Sequence, residues 1–249
     1  MNTFDIIILI GRPASGKSEI IDFLKNLELV ERGQKYHAAQ MDVLDDFPML
    51  WAWFEEDHLL NKTFGKPRLH TDDQGYFKYD YFWDLLIERL DLYYRKRLRD
   101  IPDYHTRFTT IVEFSRGSEH GGYTRAFEHL SDAILSLAGI LYVDVPYEES
   151  LRKNRRRFNP ERPDSILEHS LPDEKLERLY RYDDWNDLCA RDPAFLTLRS
   201  QRVPFAVFEN ADDVTTGKPL QLAERLEDTL GRLWELKQVN RGENFSKST

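Results

Sequence analysis

The chain of 249 residues has a single cysteine, Cys189. One thiol excludes an intrachain disulfide and any Cys-rich metal site. The seven histidines show no metal-ligand spacing either. Long apolar runs are also missing. The longest, Ile6 to Ile10, falls far below the ~18 residues that span a bilayer, and no basic residue precedes it as in a secretory signal. No membrane partner is expected, and a reducing, cytoplasmic compartment is. There is no surplus of positive charge: Lys+Arg number 35 against Asp+Glu 44, a formal net charge of −9. That balance argues against a broad nucleic-acid or anionic-membrane surface, while leaving room for a local basic pocket. Repeats and low-complexity blocks are absent. Only residues 241–249 read as a flexible polar tail.

What remains is globular. Hydrophobic residues make up 41% and charged residues 32%, the latter above the usual ~25%. Five Trp, 12 Tyr and 15 Phe exclude a disordered chain. Five apolar runs read as buried strands: Phe4 to Ile10, a weaker Lys35 to Met41, Thr109 to Phe114, Ile140 to Val145 and Val203 to Phe208. Helical patterns lie between them, at residues 18–27, 81–98, 123–137 and 220–236. Strands alternating with helices predict an α/β fold with a parallel sheet covered on both faces. One domain over residues 1–240 is expected. Two connections are too long for simple crossovers. They predict a helical acceptor cap at about 42–108 and a lid at about 146–172.

Residues Gly11, Arg12, Pro13, Ala14, Ser15, Gly16, Lys17 and Ser18 match G-x-x-x-x-G-K-[ST] between an apolar strand and an amphipathic helix, the context the motif requires. The two glycines permit backbone angles that let the loop turn its N–H groups inward around an anion. The helix start adds its positive dipole end. Lys17 is expected to face ligand, away from the core, and to reach the β- and γ-phosphates. Ser18 is expected to ligate Mg²⁺.

With this loop, the five strands and the two caps, the chain resembles the P-loop kinases, the group of nucleoside, nucleotide and small-metabolite kinases. The resemblance spans roughly residues 4 to 236 and implies a three-layer P-loop NTPase fold with a five-stranded parallel sheet in the order 2-3-1-4-5. It implies ATP and Mg²⁺ as cofactors. It also implies carboxylates after strands two and three that bind the acceptor, act as base or work through Mg²⁺. Asp42 and Glu113 are the candidates. Asp42 equally suits a helix N-cap, given Asp45 and Asp46 beside it. Glu113 within Ile-Val-Glu-Phe is costly to bury without a charged partner, and it is a candidate for both catalysis and metal binding. Arg116 follows three residues on. It is expected to hold an acceptor hydroxyl or phosphate or to pair with Glu113, the alternative being a surface ion pair of little worth.

Residues 152–157 read Arg-Lys-Asn-Arg-Arg-Arg. On a helix, Arg152, Arg155 and Arg156 share one face. Such charges repel unless a polyanion sits among them, and guanidinium forks match phosphate oxygens. The resemblance implies lid duty on the triphosphate for Arg156, Arg152, Lys153 and Arg157. The alternative is a solvated basic face. Asn210, after the last strand, is a candidate for the adenine-side loop or a plain turn residue. The aromatics of the cap, Trp51, Trp53, Phe54, Tyr76 and Phe77 among them, suit a core or an acceptor pocket.

The expected activity is an ATP-dependent kinase acting on a nucleoside, a nucleotide or a metabolite alcohol. A nucleotide-dependent switch, a P-loop ATPase and a polynucleotide-end kinase are the alternatives. The net charge speaks against nucleic acid, and the absence of an Asn-Lys-x-Asp segment speaks against a GTPase.

Overall fold

The computed structural model describes residues 2–157 and 171–246, with side chains as far as Asn240. Strand β1 (Ile6–Gly11) is apolar and buried at every position because both its faces are covered. Its side chains alternate between two cores. Ile6, Ile8 and Ile10 point into one, and Ile7 and Leu9 into the other.

The remaining elements follow in chain order: α1 (Lys17–Lys25), α2 (Leu29–Lys35), β2 (Gln40–Asp45), α3 (Phe47–Lys62), α4 (Tyr81–Asp100), α5 (Tyr104–Arg107) and β3 (Phe108–Phe114). After a 3₁₀ turn at Ser118–His120 come α6 (Gly122–Glu128), α7 (Asp132–Leu135), β4 (Ala138–Asp144), α8 (Tyr147–Arg157), α9 (Asp173–Tyr180) and α10 (Trp185–Cys189). The chain then forms β5 (Phe195–Leu198), β6 (Gln201–Glu209) and α11 (Pro219–Ser246).

The sheet order is β2-β3-β1-β4-β6-β5. The first five strands in that order are parallel, with β1 between β3 and β4. This is the α/β arrangement the sequence predicts, with one strand more. The extra strand, β5, pairs antiparallel with β6 at the edge. Its four residues, Phe-Leu-Thr-Leu, lie inside the stretch read as a long connection, too short to give a periodic signal. Helices α4 and α6 cover one face through Ile87, Leu90, Tyr94, Tyr123 and Phe127. Helices α1 and α11 cover the other through Ile20, Leu24, Leu226, Leu230 and Leu233.

Three boundaries differ from the sequence reading. The second strand occupies Gln40–Asp45 instead of residues 35–41. It is an edge strand carrying two carboxylates, so its apolar pattern is broken. The helix expected over 123–137 is two short helices. Helix α11 continues to Ser246, through the start of the expected tail. Asn240 is buried there, and its Nδ2 donates to the Arg202 carbonyl at 2.7 Å.

A third core joins α3, α4 and α9 through Met49, Trp53, Phe82, Trp83, Leu176 and Leu179. It packs the expected cap against α9, the helix that follows the expected lid. Of the lid, α8 and residues 171–172 are described; residues 158–170 lie outside the described residues.

Candidate functional site

Parallel strands deliver their carboxyl ends to one edge of the sheet, where ligands of open α/β folds bind. The turn from β1 into α1 lies at this edge. Gly11 has φ 155°, and a Cβ on it would stand 2.6 Å from the Val143 carbonyl oxygen. Gly16 has φ 112°, and its Cβ would lie 2.7 Å from Thr215 Oγ1. Both positions therefore demand glycine. Ala14 also takes a positive φ, 58°. The loop is tied to its surroundings. Ser150 Oγ donates to the Pro13 carbonyl at 2.7 Å, and Asn210 Nδ2 donates to the Ser15 carbonyl at 2.7 Å. Ser15 Oγ is buried without a hydrogen-bond partner among the described residues. Ser18 is exposed and lines the cavity described below.

Lys17 departs from expectation in its burial. It is 6% exposed, and its ammonium donates to the carbonyls of Gly11 and Arg12, both at 3.1 Å, and to Ser115 Oγ at 2.8 Å. Burial lowers its pKa, while Glu113 opposes that shift. A phosphate oxygen at Nζ would have to replace these loop acceptors. Ser115, which also donates to the Gly11 carbonyl at 2.7 Å, is a contact that no motif announces.

Asp42 is not at the strand end. It stands opposite Thr110 within β2, and its Oδ2 accepts from Arg97 Nε at 2.7 Å and from Tyr104 OH at 2.9 Å. It faces a helix and a tyrosine, so the acceptor-binding role assigned to it is corrected. The residues at the carboxyl end are Asp45 and Asp46. Asp45 is paired in register with Glu113. Its Oδ1 accepts from the Phe47 amide at 2.9 Å, an Asx turn just ahead of α3. Burial, then the charges of Glu113 and Asp46, push Asp45 up to about 7. Burial likewise raises Glu113, against the pull of Lys17. Asp46 is raised by burial and restrained by Arg116, whose guanidinium lies 2.7 Å away.

Arg116 is thus an internal clamp. It is 3% exposed and donates to the carbonyls of Ser115 and Trp83 besides pairing with Asp46. The surface-pair reading fails, because both members are buried. Arg12 is likewise committed, donating to the Val145 and Tyr180 carbonyls and pairing with Asp183 at 2.7 Å. Its side chain braces the loop against the segment after α9.

The arginine-rich helix is better neutralised than its sequence implies. Arg152 pairs with Glu149 and Asp213, Arg155 with Asp173, and Arg157 with Glu19. Lys153 is buried, donating to Thr215 Oγ1 at 2.9 Å beside Asp213 at 2.8 Å. Except for Glu149, on the same helix, these counter-ions come from other parts of the chain. Lys153 and Arg152 therefore brace α8 against the loop after β6, and their placement does not support phosphate contact. Arg156 and Arg157 line the cavity, and Arg156 has no ion-pair partner among the described residues.

Asn210 is fully buried. Its Nδ2 also donates to Thr215 Oγ1, its Oδ1 accepts from the Val214 amide, and its own amide donates to the Asp144 carbonyl at 2.8 Å. With both backbone and side chain spent, it holds the phosphate loop and offers nothing to a base.

Lys17, Ser18, Asp45, Asp46, Glu113, Arg116, Arg156 and Arg157 line a cavity of about 1050 Å³, and Asp42, Arg152, Lys153 and Asn210 do not. One end is formed by the loop, Lys17, Ser18, Arg156 and Arg157. The floor carries Asp45, Asp46 and Glu113. The other end is walled by α3, Tyr76, Phe77, Lys175 and Tyr180. Among the described residues no three Asp, Glu, His or Cys side chains are gathered for an all-protein metal cage, and no helix is long and apolar enough to cross a membrane.

The strand order and the loop between β1 and α1 define a P-loop α/β fold of the kinase-like kind. No family model matches the chain, and no curated protein matches it by sequence. Solved structures align over most of its length. One is Kti12 of Chaetomium thermophilum in complex with ADP-AlF3, with 13% identity over 90% of this chain and 98% of that one, TM-score 0.47. A sugar kinase from Janibacter sp. aligns at 14% identity over 94% and 98%, TM-score 0.41. Shikimate kinase of Acinetobacter baumannii in complex with shikimate aligns at 14% over 90% and 92%, TM-score 0.38.

Proposed function

We propose that this protein is an ATP-dependent phosphotransferase whose acceptor is a small molecule: a nucleoside, a nucleotide or a metabolite alcohol. One observation carries the reading. The phosphate loop and a set of buried carboxylates open onto a single cavity large enough for a nucleotide and a second ligand. A nucleotide switch needs no second compartment of this kind.

The residues suit ATP. Gly11 and Gly16 leave backbone amides free to turn toward phosphate, and the unpartnered Ser15 hydroxyl adds a donor. Lys17, Arg156 and Arg157 supply positive charge where it develops in phosphoryl transfer. Magnesium, held by phosphates and water with Ser18 and Glu113 as protein ligands, would neutralise charge on the β- and γ-phosphates. A metal bound this way needs only one or two protein donors, so the lack of a full cage is no obstacle.

The chain's own groups then act in order. The acceptor hydroxyl lies at Asp45, whose carboxyl titrates near neutrality. Its oxygen attacks the γ-phosphorus as the bond to the β–γ bridging oxygen breaks. The electron pair leaves on ADP, and the hydroxyl proton passes to Asp45. Most of the rate comes from positioning and charge stabilisation. The test is ADP release from ATP and Mg²⁺ with a panel of nucleosides, nucleotides, sugars and small alcohols. Stimulation well above the acceptor-free rate is expected for at least one class. A rate that no member of the panel changes contradicts the reading.

A further inference from the structure

The first residue after β3 is bonded across the edge of the sheet. Strands β1 and β3 are parallel, with Ile10 opposite Phe114. The next residue on β1 is Gly11, which opens the phosphate loop, and the next after β3 is Ser115. Ser115 Oγ donates to the Gly11 carbonyl at 2.7 Å and accepts from Lys17 Nζ at 2.8 Å. A hydroxyl has one proton and two lone pairs. With its proton on Gly11, it keeps a lone pair for the ammonium. Alanine could do neither, and a carboxylate would set its charge against the Gly11 carbonyl oxygen. Among the described residues Ser115 gives Lys17 its one side-chain hydrogen bond, and the other two go to carbonyls of the loop itself.

Ser115 is half-buried and lines the cavity, yet its backbone is held on both sides. Strand β3 precedes it. Its carbonyl accepts from Arg116 at 2.7 Å, and Arg116 is itself bound to Asp46 and to the Trp83 carbonyl. Gly117 lies so close to α9 that a Cβ on it would stand 1.7 Å from the Leu179 carbonyl oxygen. The hydroxyl is thus a fixed point outside the loop. The partners of Lys17 then differ in what a phosphate would do to them. The bonds to the loop carbonyls are 3.1 Å, against 2.8 Å to Ser115. If the ammonium leaves those carbonyls, neither is orphaned: Gly11 keeps the Ser115 hydroxyl, and Arg12 keeps the Ser15 amide at 3.2 Å.

We propose that Ser115 is a positioning residue for the phosphate site. It keeps one proton of the Lys17 ammonium while phosphate oxygens take the other two, and it satisfies the Gly11 carbonyl that the ammonium leaves. Ser115 acts through Lys17 and fixes where that charge stands. The proposal rests on the nucleotide-site reading and adds to it a residue that lies outside the phosphate-loop motif.

Two measurements on the full-length protein test it. The first is titration calorimetry with the non-hydrolysable analogue AMP-PNP and Mg²⁺. Ser115→Ala is expected to bind about 3- to 10-fold more weakly, the scale of one hydrogen bond. Ser115→Thr keeps the hydroxyl and is expected to bind as the parent does. The second is proton–nitrogen NMR of the lysine ammonium groups. The parent is expected to show a slowly exchanging signal that Lys17→Ala removes and that persists when AMP-PNP is bound. Ser115→Ala is expected to broaden that signal, and Ser115→Thr to retain it. A serine that merely stabilised the fold would lower the melting temperature when replaced and leave the Lys17 signal in place. Parental AMP-PNP affinity in Ser115→Ala, an equal loss in both variants, or a Lys17 signal that is absent from the parent or indifferent to Ser115→Ala overturns the proposal. Failure of AMP-PNP to bind the parent overturns the nucleotide-site reading instead, and the ammonium signal still decides whether Ser115 anchors Lys17.

Discussion

The two ends of the cavity are built in different ways. The end proposed for the donor is built on one contiguous octapeptide, Gly11 to Ser18, shaped by backbone geometry and the start of a helix, with Arg156 and Arg157 of α8 beside it. The end proposed for the acceptor is lined by residues from 45–54, 75–83, 113–120 and 171–180, distant from one another in sequence. A nucleotide's phosphates are the same whatever the acceptor, so backbone amides with Lys17 and two arginines would suffice at the proposed donor end. Recognising a particular acceptor takes side chains, and these can vary without disturbing the sheet.

The largest expected effect would break the donor end. Lys17→Ala is expected to lower phosphoryl transfer by at least ~100-fold, the scale of removing one preorganised charge donor. The fold is expected to persist, because among the described residues Nζ bonds to the loop and Ser115 alone. Steady-state ADP release and a thermal melt read the two consequences separately.

The carboxylates sharpen the contrast next. Asp45→Asn is expected to cost at least ~100-fold in rate, as for a lost general base. Its effect on stability has the opposite sign. The folded value of Asp45 lies near 7, above its ordinary 3.8. Between those values the folded protein keeps a proton that the unfolded chain has released. Stability from this group is therefore complete below about pH 4 and declines as pH rises through 7. Asp45→Asn is expected to flatten that decline and to stabilise the protein at pH 8 by on the order of 1 kcal/mol. Urea titrations across pH 5 to 8 measure it. A variant less stable than the parent at pH 8 contradicts the assignment.

Asn210→Ala is expected to act on the donor end alone. It frees the Ser15 carbonyl and Thr215 from their shared donor. AMP-PNP affinity, read by calorimetry, is expected to fall several-fold.

The smallest effect belongs to Asp42→Asn. Its pair with Arg97 is partly exposed and away from the cavity, worth under ~1 kcal/mol. Near-parental rates are expected. A large rate loss would restore the role first read for this residue.

These differences follow what a sequence can express. The phosphate loop was legible because its residues are adjacent and its glycines are dictated by local geometry. The parallel sheet was legible because β1 and β4 are nearly continuous apolar runs. Strand β2 was misplaced by several residues because an edge strand bearing Asp42 and Asp45 shows no clean alternation, and that shift moved the site carboxylate from Asp45 to Asp42. The charges of residues 152–157 were visible, but their counter-ions Glu19, Asp173 and Asp213 are adjacent only in space. The burial of Asn210 and Lys153 in one network was hidden for the same reason. The aromatic residues of α3 were visible as a group. Which of them face the core and which the cavity depends on α4 and α9, and no local pattern reports that.

Phosphorus NMR of the protein with ATP, Mg²⁺ and each member of the panel of nucleosides, nucleotides, sugars and small alcohols tests the central claim most directly. The account predicts that, for at least one of them, the γ-phosphate signal of ATP is replaced by that of the phosphorylated acceptor, in step with ADP. Conversion of ATP to ADP and free inorganic phosphate alone, with every acceptor supplied, would contradict it.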